Sequence, residues 1–297
     1  MDILITGCKG LLASRLIQEL LMRNHNIYCS SRSKLTNDLP AIDIFEADIN
    51  KLSEKLKKID FIIHTAGIPY QKCIDNPLEA IKVNSLLTAR LGQAGLMANI
   101  KKFIYFSTLR VFKDIVEPSK YDKLIPNNFD FYANTKFCGE RFLNSIFLNN
   151  SSQLKILRLA NICCSPTSIS ESHRQTVFND ICYQAINYKK IQIKSNKNTL
   201  RDFVPFHILN DNVISLIENE NNNHSLISFI SSHKLFTINS LSERVVEIYK
   251  KKFGGKIPIN FLEESDQNQC DLKQNVINSS IFDYEIELSL DFYKKEL

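Results

Sequence analysis

The chain has 297 residues, 44% hydrophobic and 23% charged, with a formal net charge of +5. That composition supports a sizeable core and excludes a disordered chain, and the length fits one α/β domain with an attached lobe. No run approaches the roughly 18 consecutive apolar residues of a membrane span, and the opening MDILITG lacks the basic and long apolar regions of a secretory leader.

The positive charge is scattered, without basic runs interleaved with aromatics, so nucleic acid is not indicated as a partner. It favours a small anionic ligand, or simply reflects a Lys-rich sequence. The eight cysteines show no CxxC pair and no zinc-ligand spacing. Several lie in apolar segments such as NIYCSSR and LRLANICCS, so they read as reduced core residues of a cytoplasmic protein with no metal site.

In chain order, DILIT (2–6), NIYCSS (26–31), IDIFEA (42–47), DFIIHTA (60–66), KFIYFST (102–108) and LKILRLA (154–160) predict buried strands. Between them, LLASRLIQELLMR (11–23), PLEAIKVNSLLTARLGQAGLMA (77–98) and YANTKFCGERFLNSIFL (132–148) repeat apolar residues at helical spacing. The alternation implies a Rossmann-like, doubly wound parallel α/β sheet, with ligands at the carboxyl ends of its strands. After Ala160 it fails. Residues 165–225 show only weak helical patterns and end in the Asn-rich ENENNNH (218–224), a surface loop. LISFIS (226–231) reads as another strand, and Ser240 with Glu243 as a capping box for LSERVVEIYKKK. The expected organisation is a Rossmann domain over 1–164, rejoined by elements near 209–232, and a smaller substrate lobe over 165–297.

The first chemical motif is the turn Thr6-Gly7-Cys8-Lys9-Gly10-Leu11-Leu12-Ala13. Gly7 permits a tight turn after the strand, Gly10 lets the amides around Leu11 and Leu12 approach a pyrophosphate, and Ala13 fills the third small position. The second strand ends Ser30-Ser31-Arg32-Ser33-Lys34, without the carboxylate that an NAD site offers to the ribose hydroxyls. Arg32 suits the 2′-phosphate of NADP, which makes NADP the preferred cofactor over NAD; the bland alternative is a solvated arginine.

The second motif joins Thr108 to Tyr132-Ala133-Asn134-Thr135-Lys136. Helix positions four apart share a face, so the Tyr132 hydroxyl and Lys136 ammonium point the same way. A phenol with a pKa of about 10 is a poor base at neutral pH. A neighbouring cation favours its phenolate. Thr108, ending the fifth expected strand, reaches the same point and can hold a substrate oxygen.

These residues carry a resemblance. TGCKGLLA, EADI (46–49), HTAG (64–67), IKVNSLLTAR with Asn84, FSTLRVF (106–112), YANTK, LRLANIC and RDFVPFH (201–207) follow in the order of the extended short-chain dehydrogenase/reductases, NAD-dependent epimerase/dehydratase type. The resemblance implies hydride transfer with NAD(P), commonly on nucleotide-linked sugars. It would place Asp48 and Ile49 by the adenine, Ala66 along the cofactor channel and Asn84 behind the active-site face. Tyr132 would be the acid/base, Lys136 would bind the nicotinamide ribose, and Thr108 would orient the substrate oxygen. Asn161 and Arg201 match positions that contact the substrate's nucleotide or diphosphate. A homodimer is the candidate assembly, and no membrane partner is expected.

Departures narrow the reading. Leu109-Arg110 stand where sugar-nucleotide dehydratases carry Asp-Glu, and Arg110 where GDP-fucose synthase carries its epimerising cysteine, so both chemistries are disfavoured. Phe112-Lys113 and Pro205-Phe206-His207 also differ from the usual pattern. His64 reads as structural, His207 as a loop histidine, and Glu140 as the helical ion-pair partner of Lys136. The leading function is an NADP-preferring 4-keto-sugar reductase or 4-epimerase of a nucleotide sugar. The competing readings are a non-catalytic NADP-sensing protein and a reductase of a non-nucleotide carbonyl.

Overall fold

The computed structural model describes residues 1–30, 39–112, 118–126, 130–168, 171–219, 226–262 and 280–296. Arg32 and residues 220–225 of the expected Asn-rich loop lie outside them. The chain divides into two compact units, one of residues 1–114, 124–159 and 210–230, the other of 115–123, 160–209 and 231–297.

The first unit is built on β1 (Asp2–Thr6), α1 (Leu11–Met22), β2 (Asn26–Ser30), α2 (Ile49–Leu56), β3 (Phe61–His64), α3 (Thr88–Met97), β4 (Lys102–Thr108), α4 (Phe131–Ile146), β5 (Leu154–Leu159), α5 (Phe206–Glu218) and β6 (Ile227–Ile230). Six parallel strands pair in the order β6-β5-β4-β3-β1-β2. Ile3, Leu4, Ile5, Ile62, Ile63, Phe103 and Ile104 are fully buried because a parallel sheet is covered on both faces, which requires continuous apolar runs. The chain passes from β1 to β2 on one side, then returns past β1 to β3. The strand order therefore reverses between β1 and β3, where ligands of doubly wound sheets bind.

Residues 42–47 do not form the expected strand. Ile42 and Ile44 bury as an alternating pattern demands, but only a single bridge, Ala41 to Cys29, joins this stretch to β2. The Asp43 carboxylate accepts the Phe45 amide at 2.9 Å, a local turn that takes that donor out of a ladder. Arg90 takes the Glu46 and Ala47 carbonyls with its side chain. Thr108 consequently ends the fourth strand, not the fifth. The expected helix over 77–98 is interrupted by a π-helical stretch, Ile81–Leu87, which carries Asn84.

Helix α4 lies unusually close to the sheet. A Cβ on Gly139 would stand 2.7 Å from the Tyr105 hydroxyl and 2.8 Å from the Asn84 carbonyl. The next residue, Glu140, does not pair with Lys136 as expected. Its carboxylate receives Arg158 of β5 through Nε at 3.1 Å and Nη2 at 2.7 Å, and the Ser107 hydroxyl of β4 also donates to it. The pair is 5% and 1% exposed, so desolvation must be offset by hydrogen bonds, and the bidentate fork supplies them.

The second unit has its own core, including Phe178, Ile181, Cys182, Phe203, Leu241, Val245, Phe282 and Ile286. Among the described residues, two of its three strand pairs are parallel, Asn161–Cys163 with Phe203–Pro205 and Ile191–Ile193 with Ile259–Phe261; Leu200–Arg201 with Phe236–Thr237 is antiparallel. The weak helical patterns after residue 165 were underestimates, because Val177–Asn187 and Phe206–Glu218 are full helices. Thr176 caps the former by accepting the Asn179 amide, a signal hidden inside a polar run. The capping box is also corrected: the helix Ile238–Phe253 has Thr237 as its cap, and Ser240 supplies the bonded amide while Glu243 accepts from Asn239. His207 lies exposed in the first turn of α5 and not on a loop.

Among the described residues, no helix is long and apolar enough to cross a membrane. Seven described cysteines are free thiols, and all but Cys138 are buried.

Removing one partner of the Glu140–Arg158 pair strands a buried charge. Arg158→Met should cost about 3–5 kcal/mol in denaturant unfolding, whereas Glu140→Leu with Arg158→Met should recover much of that loss.

Candidate active site

The site begins at the switch point. Gly7 has φ +69°, and a Cβ there would stand 2.9 Å from Ala66 Cα, so only glycine lets the β1 turn pass under the β3 turn. The Gly7 amide donates to the Ser30 carbonyl at 2.7 Å and the Gly10 amide to the Gly7 carbonyl at 2.7 Å, which folds the loop tightly. Gly10 precedes α1, and no side chain caps that helix, whose first residues are Leu11 and Leu12. An uncapped helix start with the positive end of its dipole, behind two glycines, fits a pyrophosphate.

Thr6 holds the opposite wall, its hydroxyl receiving the Ala66 amide at 3.1 Å. His64 is fully buried, with Nδ1 2.7 Å from the Thr6 hydroxyl and Nε2 2.9 Å from the Thr88 hydroxyl. Thr88 donates to the Asn84 carbonyl, so it accepts from His64, which fixes the proton on Nε2. Burial pushes the imidazole down to about 3, with Lys136 adding to the effect, so His64 is a neutral strut. Asn84 is buried too; it accepts the Ile68 amide at 2.7 Å and donates to the Thr135 hydroxyl at 3.0 Å, tying α4 to the segment after Ala66. Asp48 caps α2, accepting the Asn50 amide at 2.9 Å, with Ile49 the first helical residue.

Thr108 closes β4, its hydroxyl accepts the Arg110 amide at 3.1 Å, and it lies on the side of the Tyr132 phenol where it favours the phenolate. Asp130 caps α4 by accepting the Ala133 amide at 2.6 Å, so the helix starts with Tyr132 in its first turn and Lys136 one turn deeper. The Lys136 ammonium lies 4.3 Å from the centre of the Tyr105 ring. Burial pushes Lys136 down to about 7, opposed by Glu140 and Cys73, and pushes Tyr132 up to about 12, opposed by Arg110 and Thr108.

Sequence reasoning missed four supporting residues. Arg110 Nε donates to Asp130 at 2.6 Å, and its guanidinium lies 3.8 Å from the Tyr70 ring centre. Tyr70 meets Tyr132 edge-on, with ring centres 6.5 Å apart. Tyr105 backs Lys136. Only Asp130 had a legible signal, an N-cap residue type just ahead of the YANTK helix.

Of the three expected substrate residues, Thr108 belongs to the first unit and Asn161 and Arg201 to the second. Asn161 is exposed and donates through Nδ2 to the Asp202 carbonyl at 3.2 Å; Arg201 is partly exposed and donates to the Leu200 carbonyl at 2.8 Å. The Asp202 carboxylate is engaged by Tyr121, Ser231 and Ser232.

Extended short-chain dehydrogenase/reductases share this arrangement of a glycine turn at the sheet's switch point and a Tyr–Lys helix beside a strand-end hydroxyl, and the chain is of that class. It belongs to the NAD dependent epimerase/dehydratase family, whose model matches residues 3–208. Its sequence is 32% identical to UDP-N-acetyl-alpha-D-glucosaminuronate decarboxylase of Bacillus cytotoxicus, over 40% of this chain and 40% of that protein's length. The fold matches UDP-glucuronic acid 4-epimerase from Bacillus cereus, solved with UDP-glucuronic acid and NAD, with a TM-score of 0.76 at 21% identity over 100% of both chains. It also matches RMD from Pseudomonas aeruginosa, solved with NADPH, with a TM-score of 0.75 at 16% identity over 100% of this chain and 98% of that one.

Lys136 gives a pH test. Its folded value lies below its unfolded one, so the native state binds fewer protons between about 7 and the ordinary lysine value. The cost of holding it charged is fully present below about 7 and fades as pH rises through that window. Lys136→Met should therefore raise the melting temperature over wild type most at pH 6, with the difference shrinking toward pH 10 in thermal scans.

Proposed function

We propose that the chain is an NADP-preferring 4-keto-sugar reductase or 4-epimerase acting on a nucleotide-activated sugar. The observation that carries this reading is Tyr132 set in the first turn of α4 by the Asp130 cap, with Lys136 buried one helical turn below and the glycine turn at the sheet's switch point. Gly7, Gly10, Leu11, Leu12, Asp48, Ile49, Ala66 and Asn84 would hold the dinucleotide, and Arg32 its 2′-phosphate. The nicotinamide supplies the hydride or accepts it.

The chain's own residues then handle the proton and the substrate's position. Thr108 holds the sugar oxygen at the phenol. In reduction, Tyr132 gives its proton to the nascent alkoxide; in epimerisation it first takes the hydroxyl proton, then returns it once the keto-sugar has turned its other face. Lys136 would bind the ribose hydroxyls; the expectation that its charge lowers the phenol is corrected, since burial raises Tyr132 and the cation that opposes this is Arg110. Asn161 and Arg201 would contact the nucleotide diphosphate, a task suited to a planar guanidinium fork.

The missing carboxylate in the Ser30-Ser31-Arg32-Ser33-Lys34 stretch supports reduction with NADPH. The intact Thr108, Tyr132 and Lys136 set supports catalysis over a sensing role. A cytoplasmic setting, supported by the free buried thiols, and a homodimer complete the proposal.

Two substitutions separate the parts. Tyr132→Phe should leave NADP(H) affinity intact in fluorescence titration while turnover falls by orders of magnitude; undiminished turnover would place the proton on another group. Arg201→Ala should raise KM for the nucleotide sugar, abolish thermal stabilisation by UDP, dTDP or GDP, and leave NADPH binding unchanged. For the cofactor, Arg32→Asp should weaken NADPH on the order of tenfold to a hundredfold more than NADH, and equal losses would reject the NADP assignment.

A further inference from the structure

The capping of α4 creates an electrostatic problem at the phenol. Asp130 is needed to accept the Ala133 amide, yet its carboxylate stands two residues before Tyr132 and favours the protonated phenol. Arg110 meets that carboxylate at 2.6 Å while its guanidinium stacks 3.8 Å over Tyr70, the ring set edge-on against Tyr132. Its own amide bonds the Thr108 hydroxyl. One residue thus touches the cap, the strand-end hydroxyl and the aromatic wall of the acid/base.

We propose that Arg110 is a positioning residue for the proton-transfer step, holding a fixed positive charge and the Tyr70 ring against Tyr132. The inference rests on the reading of Tyr132 as the acid/base. Among the described residues, the groups acting on the phenol are Asp130 at the cap of α4, Cys73 and Tyr70 from the Tyr70–Asp75 helix, Thr108 and Tyr105 from β4, and Arg110 from the turn after it, with Lys136 one turn deeper in α4. Burial, Cys73 and Asp130 act against the phenolate; Arg110 and Thr108 act for it. A deep lysine that burial brings down to about 7 is a titrating cation at neutral pH, whereas a guanidinium stays charged. Arg110 therefore supplies the constant charge and cancels the cost of the cap.

The test reads the Tyr132 phenol directly, by ¹³C NMR of protein labelled at tyrosine Cζ, with NAD⁺ bound and no sugar present, the signal being assigned by its loss in Tyr132→Phe. Arg110→Gln should raise the titration midpoint by about one pH unit, a tenfold loss of phenolate. Arg110→Lys, which keeps the charge, should restore at least half of the shift. Arg110→Gln with Asp130→Asn should return the midpoint toward wild type, since asparagine still caps the helix while both charges are gone. An unmoved midpoint in Arg110→Gln would overturn the proposal, as would a double variant as raised as the single one. Because no sugar is present, a wrong substrate assignment leaves these outcomes unaffected. If Arg110→Gln fails to fold, Asp130→Asn alone must lower the midpoint, and an unchanged value overturns the proposal.

Discussion

One buried carboxylate governs how the rest of the first unit is assembled. Glu140 receives Arg158 from β5 and Ser107 from β4, so a single charge ties α4 to two adjacent strands. Gly139 beside it removes the side chain that would hold the helix away from Tyr105. Buried ion pairs stabilise little against apolar replacements, but they tolerate few alternative geometries. Here the geometry fixes a helix whose outer turn carries Tyr132 and a strand whose last residue is Thr108.

Close docking has an electrostatic consequence. The same approach that places Lys136 over Tyr105 removes water from both members of the Tyr–Lys pair, lowering the lysine and raising the tyrosine. Neither shift favours a phenolate–ammonium pair, so opposing groups are required around it: Glu140 beneath the lysine, Thr108 and Arg110 beside the tyrosine. Perturbed groups converging on one strand end are where acid–base chemistry is expected. The neutral His64, bonded on both nitrogens, extends this network to the glycine turn without adding charge.

The elements with strong periodicity were legible. The strands over 102–108 and 154–159, the glycine turn and the YANTK helix follow from apolar runs, Gly spacing and helical repeats, all local properties of the chain. Residues 42–47 were misread because an alternating pattern reports burial, and burial does not require a ladder; the Asp43 turn and the Arg90 side chain claim the backbone groups instead. The helices after residue 165 were obscured because their apolar faces, such as Phe178, Ile181 and Cys182, sit among polar residues whose Thr176 cap looked like loop.

The amino-acid sequence by itself determined the class of fold and the family, and it singled out the Thr108, Tyr132 and Lys136 set proposed for catalysis, since each depends on spacing within a few residues or on motif order. Partnership across the chain was decided only in the tertiary structure. Glu140 lies four residues from Lys136, the spacing of a helical ion pair, yet it pairs with an arginine 18 residues later in sequence. Arg110 sits 20 residues before Asp130 and nothing local links them. Charges find partners by distance in space and by desolvation, and both are set only when the helices close onto the sheet.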